Sequence, residues 1–334
     1  LIRVAGGRFS ASHVRSDALT RRPRRGRIFI LVAALGVVGM FVAATAVGAA
    51  IGSLHRGSMR AGHFSVAGFV LTYPELNGSE WLLIGLAVVG ATAISLAGRA
   101  AWRQGCAYRR FVERLEVLSC LDDRGRVKVI AGSRPEAFCA GYLRPTVYIS
   151  RGALERLTEA EVKAVLAHED HHRLVRDPLR LALGSILTKA LFFIPALRPL
   201  CDRHADLAEL DADGAAVRAS AGRRAPLASA LLVFDASAPP GVTGISSIRV
   251  DSLLGESERW RAPVSPMVAS LIALSSLSLL IWHVSQLASV RATFNLPFLS
   301  SRPCVAMLAL LPLFGFAGAL GLRRRAGRGR SRRI

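Results

Sequence analysis

The stretch of this chain best suited to chemistry is His168-Glu169-Asp170-His171-His172. On a helix, His168 and His172 stand at i and i+4 on one face, where two imidazoles can hold one tetrahedral zinc ion. Glu169, one residue along, is placed to take a proton from a water that the metal has acidified. A catalytic zinc keeps one position open to water, so the protein has to supply one more ligand. Glu209, in Glu-Leu-Asp-Ala-Asp, is the expected one. Asp213, one turn further on the same face, can orient a ligand histidine from behind. Rivals stand at each point. His171 is i+3 from His168 and offers another pair. Asp206 lies near the face of Glu209, and Asp211 points away from it. The motif itself fixes only three positions, so its context carries much of the argument.

Two helices have to deliver these groups. Thr158 followed by Glu161 is a capping box, and Val162, Val165 and Leu166 follow at helical spacing until Pro178. A helix over 159–176 and a second over 202–219 are predicted. Both must reach one ion. The hydrophobic stretch 179–200, interrupted by Arg180, Lys189 and Arg198, therefore cannot cross a membrane once. It dips and returns, lies along the interface, or lies within the protein. Upstream, 126–131 alternates like a strand, and 136–149 reads as a hairpin turned near Arg144-Pro145. Residues 220–260, with Pro239-Pro240, read as loops and short helices.

Around this unit the chain looks like a membrane protein. Of 334 residues, 51% are hydrophobic and 20% charged, and the charges cluster. Uncharged runs at 28–54, 81–98, 262–282 and 303–322 are long enough to span a bilayer. The net charge of +21 is concentrated in arginines beside these runs, including Arg21, Arg22, Arg24, Arg25 and Arg27 before the first and the Arg-rich tail 323–334 after the last. That distribution reads as positive-inside topology, with attraction to anionic lipid headgroups, and no zinc-finger or helix-turn-helix signature supports nucleic-acid binding. The expected layout has the arm 1–27, the tail and the polar region 99–261 in the cytoplasm. Loops 55–80 and 283–302 then lie outside, with the spans in the plasma membrane. Five cysteines without a CxxC pair suggest no disulfide framework.

The stretch Leu157 to Leu179, ending in Arg176-Asp177-Pro178-Leu179, resembles peptidase family M56. That family includes the membrane metallopeptidase domain of bacterial β-lactam sensors. Family M48, with its HtpX-type membrane proteases, is the second resemblance. Glu209 to Asp213 resembles an element shared by both. Ala137-Phe138, Gly141, Pro145 and Val147-Tyr148-Ile149 resemble the strand and hairpin before the zinc helix. The resemblance implies a gluzincin-type fold with endopeptidase activity at the membrane surface. It implies His168, His172 and Glu209 as ligands of one Zn2+, Glu169 as base and Asp213 behind the ligands. It also implies a protein substrate added to an edge strand, for which Ala137, Phe138, Cys139, Ala140 and Gly141 are the candidate; Cys139 itself reads as a small buried residue. His204 and Arg203 are candidates for stabilising the developing oxyanion. The sensors' extracellular penicillin-binding domain has no counterpart in this sequence, so β-lactam sensing is not expected. The overall expectation is a mainly α membrane protein, with four transmembrane helices around a cytoplasmic α+β zinc peptidase domain. A catalytically silent signalling scaffold of the same fold is the alternative.

Overall fold

Long uncharged runs become long helices. In a computed structural model that describes residues 23–54, 61–66, 69–74, 78–237, 246–254 and 262–291, helix α1 covers Pro23–Leu54. A short antiparallel hairpin follows, β1 (Ala61–Val66) and β2 (Phe69–Pro74), then helix α2 (Gly78–Glu113). Strands β3 (Val117–Cys120), β4 (Val127–Ile130), β5 (Ala137–Ala140) and β6 (Thr146–Ser150) come next. Six helices follow: α3 (Arg151–Arg156), α4 (Glu159–Val175), α5 (Asp177–Ala190), α6 (Leu197–Ala219), α7 (Ala225–Ala236) and α8 (Ser247–Leu254). Helix α9 (Val264–Arg291) is the last described element.

Three of these helices are long and apolar enough to cross a membrane: Arg25–Gly52, Gly78–Glu113 and Val264–Leu287. Their exposed large side chains, among them Phe41, Val88 and Ile272, suit contact with lipid. Helix α9 runs past the expected end at 282. The expected fourth span, 303–322, the arm 1–22, the Arg-rich tail and most of the expected second outer loop lie outside the described residues. Within residues 55–80, the β1–β2 hairpin had no clear sequence signal.

The chain divides into two compact units, one of residues 1–43 and 91–277, the other of 44–90 and 278–334. In the second unit, Leu83 and Val284 pack with Ala49 and Ala50.

The first unit holds a four-stranded sheet in the order β3-β4-β6-β5. Strands β4 and β6 pair in parallel, while β3 on β4 and β5 on β6 are antiparallel. The β5–β6 hairpin turns where the sequence places it. Gly141 sits there at φ +114, and a Cβ would meet the Arg144 carbonyl oxygen at 2.8 Å, so only glycine closes this turn. Strand β5 is an edge, with no further strand beyond it among the described residues. Val129 and Ile149 from the sheet pack with Ala153, Leu157, Val165 and Ala230, joining the sheet to α3, α4 and α7. Ala164, Ala216 and Leu227 form a second cluster, with Leu253 of α8 against it.

The capping box forms as predicted. Thr158 N–H donates to Glu161 Oε2 at 2.7 Å, and Glu161 N–H donates to Thr158 Oγ1 at 3.4 Å. Helix α4 stops at Val175, where Arg176 adopts the left-handed conformation (φ 55°, ψ 45°). Pro178 does not end α4; it opens α5, where its missing N–H costs nothing. The hydrophobic stretch 179–200 is not one straight helix but turns back on itself. Helix α5 runs out to Ala190 and the chain turns through Ile194. Helix α6 then begins at Leu197, five residues earlier than predicted.

Candidate metal centre

Helices α4 and α6 pack together and bring three ligand atoms to one point. His168 Nε2 and His172 Nε2 are 3.2 Å apart. Glu209 Oε2 is 3.6 Å from the first and Glu209 Oε1 3.6 Å from the second. Ligand atoms set tetrahedrally about 2.0–2.1 Å from a zinc ion stand about 3.3–3.4 Å from each other. The observed spacings are close to those edges, with each Glu209 oxygen nearest a different imidazole. Among the described residues, these three form the group able to hold a metal.

The far side of each imidazole is also held. His168 Nδ1 lies 2.9 Å from Asp213 Oδ1, and His172 Nδ1 lies 2.8 Å from Asp177 Oδ2. A carboxylate at Nδ1 fixes the ring and, once the imidazole is neutral, leaves the Nε2 lone pair for a cation. The donor set therefore fits zinc, in ligand type, spacing and backing.

The electrostatics point the same way. Burial disfavours a charged His168, but Asp213 and Glu209 outweigh it and hold the ring's pKa up to about 9. Burial, helped by the charge on His168, pushes His172 down to about 3. The facing rings thus carry one positive charge between them, at the point where a metal ion would put its own. Burial opposes ionisation of Glu209 and Asp213, yet the His168 contacts and Arg249 keep both below the usual carboxylate range. Glu169 differs: burial pushes its carboxyl up, Glu209 adds to the rise, and His168 and Arg249 oppose it. The backbone N–H of Cys139 on β5 lies near the Glu169 carboxylate and also opposes that rise.

Three further residues belong to this site. Arg249 on α8 donates from Nε to Asp213 Oδ2 at 2.9 Å and from Nη2 to Oδ1 at 2.6 Å, and its Nη1 is 3.1 Å from Glu209 Oε2. Asp177 backs His172 and is itself held by Arg25 of α1. None of these roles follows from spacing. Asp177 stood out only within the family-like tail 176–179, and Arg25 only as one of a cluster of basic residues.

The other sequence candidates lie elsewhere. His171 is outside the metal group, its ring 6.5 Å from that of His172. Asp206 pairs with Arg203 at 4.0 Å, and Asp211 lies 3.7 Å from Arg25. The histidine proposed for the oxyanion, His204, is buried against the Phe29 ring, with centroids 5.3 Å apart. The cation that does reach the metal group is Arg249, not Arg203. A cavity of about 390 Å³ opens over the group. Ala137, Phe138 and Cys139 of β5 line one side, and Leu227, Leu231 and Phe234 of α7 line another. Cys139 is half-buried in this wall, and burial, with Glu169 nearby, pushes its thiol up to about 12, so it is no nucleophile.

Two helices carrying two histidines and a glutamate to one point, with a carboxylate behind each imidazole and a third carboxylate free to act as base, make up the equipment of a metal-dependent hydrolase. Residues 107–234 match the model of peptidase family M48. This is the second of the two families the sequence resembles, and the matched segment contains every residue of the metal group. A protease HtpX homolog from Moorella thermoacetica is 38% identical over 85 residues, which are 25% of this chain and 28% of that protein. The similarity thus spans little more than a quarter of the relative's length. With three helices able to cross a membrane, these likenesses support a membrane metalloprotease.

Proposed function

We propose that this chain is a membrane-integrated zinc endopeptidase that hydrolyses peptide bonds of a cytoplasmic or membrane protein, in regulatory proteolysis. The observation that carries the reading is the convergence of His168, His172 and Glu209 at tetrahedral spacing with Asp213 and Asp177 behind the imidazoles. His168, His172 and Glu209 would hold the ion, which when bound supplies a Lewis acid and lowers the pKa of water. Glu169 accepts the proton of the attacking water and returns it to the leaving amine. Asp213 and Asp177 fix the two imidazoles, and Arg249 fixes Asp213 and Glu209. The substrate lies as an added strand along the free edge of β5, Ala137 to Gly141. The apolar cavity wall of Leu227, Leu231 and Phe234 favours a large apolar side chain beside the scissile bond. The Arg176 to Leu179 tail is the argument for an M56-type regulatory protease. Both termini and the active site are placed in the cytoplasm, with the Arg-rich ends against anionic headgroups.

Elemental analysis of the detergent-purified protein tests the centre. Wild type is expected to carry about one zinc per chain, and Glu209→Ala to lose it. Zinc retained equally in both would move the third ligand to another residue. No zinc in wild type, even after supply, would undercut the peptidase reading.

A pH dependence follows from Glu169. The base works ionised, and burial raises its pKa in the fold. Activity is therefore lost as pH falls, and the acid limb of kcat/KM is expected above the ordinary glutamate value of about 4.3. A limb at or below that value would show that burial does not govern this carboxyl in the working enzyme.

A further inference from the structure

Arg25 belongs to a run of arginines whose evident purpose is to hold the N-terminal arm on one side of the membrane. The structure gives this one arginine a different position from a solvated flank. Its side chain is buried, 6% exposed, and ion-paired to Asp177 Oδ1. Asp177 is 1% exposed, and its other oxygen lies 2.8 Å from His172 Nδ1. Arg25 Nη1 also lies 3.7 Å from Asp211, two residues beyond Glu209 on α6. One guanidinium thus touches the carboxylate that backs His172, at the start of α5, and the helix that carries Glu209, α6.

We infer that the first membrane helix is a working part of the metal centre, with Arg25 a positioning residue that sets His172 through Asp177. The inference rests on the reading of His168, His172 and Glu209 as a metal site. A carboxylate buried this deeply is tolerated when a cation and further donors satisfy it, and removing the cation leaves an uncompensated charge. Asp177 supplies the orientation of His172, and Arg25 supplies the buried ion pair that keeps Asp177 aimed. Packing fixes Arg25 in turn. Side chains of α5 and of the turn after it reach onto α1 at its glycines: a Cβ at Gly36 would stand 2.5 Å from Leu187 Cδ1, and one at Gly39 2.6 Å from Ile194 Cδ1. Between those glycines and Arg25, the Phe29 ring meets His204 of α6 and lies 5.2 Å under the Arg180 guanidinium carbon. From Arg25 to Gly39 is about 21 Å of helix, docked at both ends. The guanidinium is therefore delivered by a continuous helix held through side-chain contacts at several points, not by a loose arm, which favours an outer residue setting ligand geometry.

The test is zinc affinity of the full chain in detergent, by competition with a chromophoric chelator, with helical circular dichroism recorded for each variant. Arg25→Met is expected to weaken zinc binding roughly 10–100-fold, the usual effect of losing a partner behind a metal ligand. Arg27→Met removes the same charge from the same cluster at an exposed position and is expected to bind zinc as wild type does. Arg25→Lys is expected to recover part of the loss. Asp177→Asn is expected to weaken binding similarly, and adding Arg25→Met to it to weaken it no further, because both act through one contact. Wild-type affinity in Arg25→Met, an equal loss in Arg27→Met, or additive losses in the double variant would each overturn the inference. Should Arg25→Met not fold, Asp177→Asn decides alone: unchanged affinity there sinks the inference. A wild-type chain that binds no zinc would remove the metal centre itself and this inference with it, an outcome distinct from a loss confined to the variants.

Discussion

Glu169→Gln is expected to lower peptide cleavage by about 10²–10⁴-fold while leaving zinc content unchanged. The side chain keeps its size, but it can no longer take a proton. Glu169 is not one of the converging ligands, so its neutralisation leaves the metal group intact. A quenched fluorescent peptide carrying a large apolar residue at the cleavage site reports the rate, and elemental analysis reports the metal. Equal rates in wild type and variant would end the assignment of Glu169 as base and favour a silent scaffold. Loss of zinc together with rate would mean that Glu169 is a ligand instead.

The same substitution has a stability signature. Burial raises the folded pKa of Glu169, so the folded chain binds its proton more tightly than the unfolded chain does. The contribution of this carboxyl to stability is full below the unfolded value of about 4.3. It declines as pH rises through the folded pKa, so the ionised group opposes folding at neutral pH. The Gln variant is expected to melt no lower than wild type at pH 7, because a catalytic carboxylate held in a strained electrostatic setting costs stability that a neutral side chain restores.

How much of this was legible in the sequence depends on the range of the interaction. The pair His168 and His172 was legible because helical spacing alone sets their shared face. So was the start of α4, since the Thr158–Glu161 cap is local. The return of 179–200 was legible by logic rather than pattern: His172 and Glu209 could not share an ion across a bilayer. The same reasoning favoured Glu209 over Asp206 and Asp211 but left both as rivals, because helix phase fixes a direction but not the partner helix. Asp177 was hidden by a backbone detail, the left-handed Arg176, which turns the chain so that a carboxylate five residues on faces His172. Arg25 and Arg249 were hidden by distance along the chain, 152 residues from Asp177 and 36 from Asp213. In a sequence with 44 lysines and arginines, nothing marks which two are buried beside a metal group.

Arg249→Met is expected to cost about 3–5 kcal/mol of stability in the metal-free protein, the cost of removing one partner from a buried charge pair. The side chain is only 15% exposed and is held bidentately by Asp213, itself 3% exposed, so solvent screening is slight. Its removal leaves Asp213 and Glu209 near Glu169 with a single shared positive charge on the histidines to offset them. Helix α8 need not detach, because Leu253 still packs against the Leu227 cluster and its carbonyl still accepts from Arg224 Nη1 at 3.0 Å. The loss therefore reports on charge compensation more than on docking. A bound divalent ion would take over much of that compensation. The rise in melting temperature on adding zinc is expected to be larger in Arg249→Met than in wild type, since a ligand that binds the folded form stabilises it most where its charge is most needed. Arg249→Lys keeps the charge without the fork and is expected to fall between the two. Melting of the metal-free Met variant at the wild-type temperature would show that these three carboxylates do not depend on Arg249. A large loss with no added response to zinc would place the role of Arg249 in holding α8 to α6 instead of in balancing the charge of the metal group.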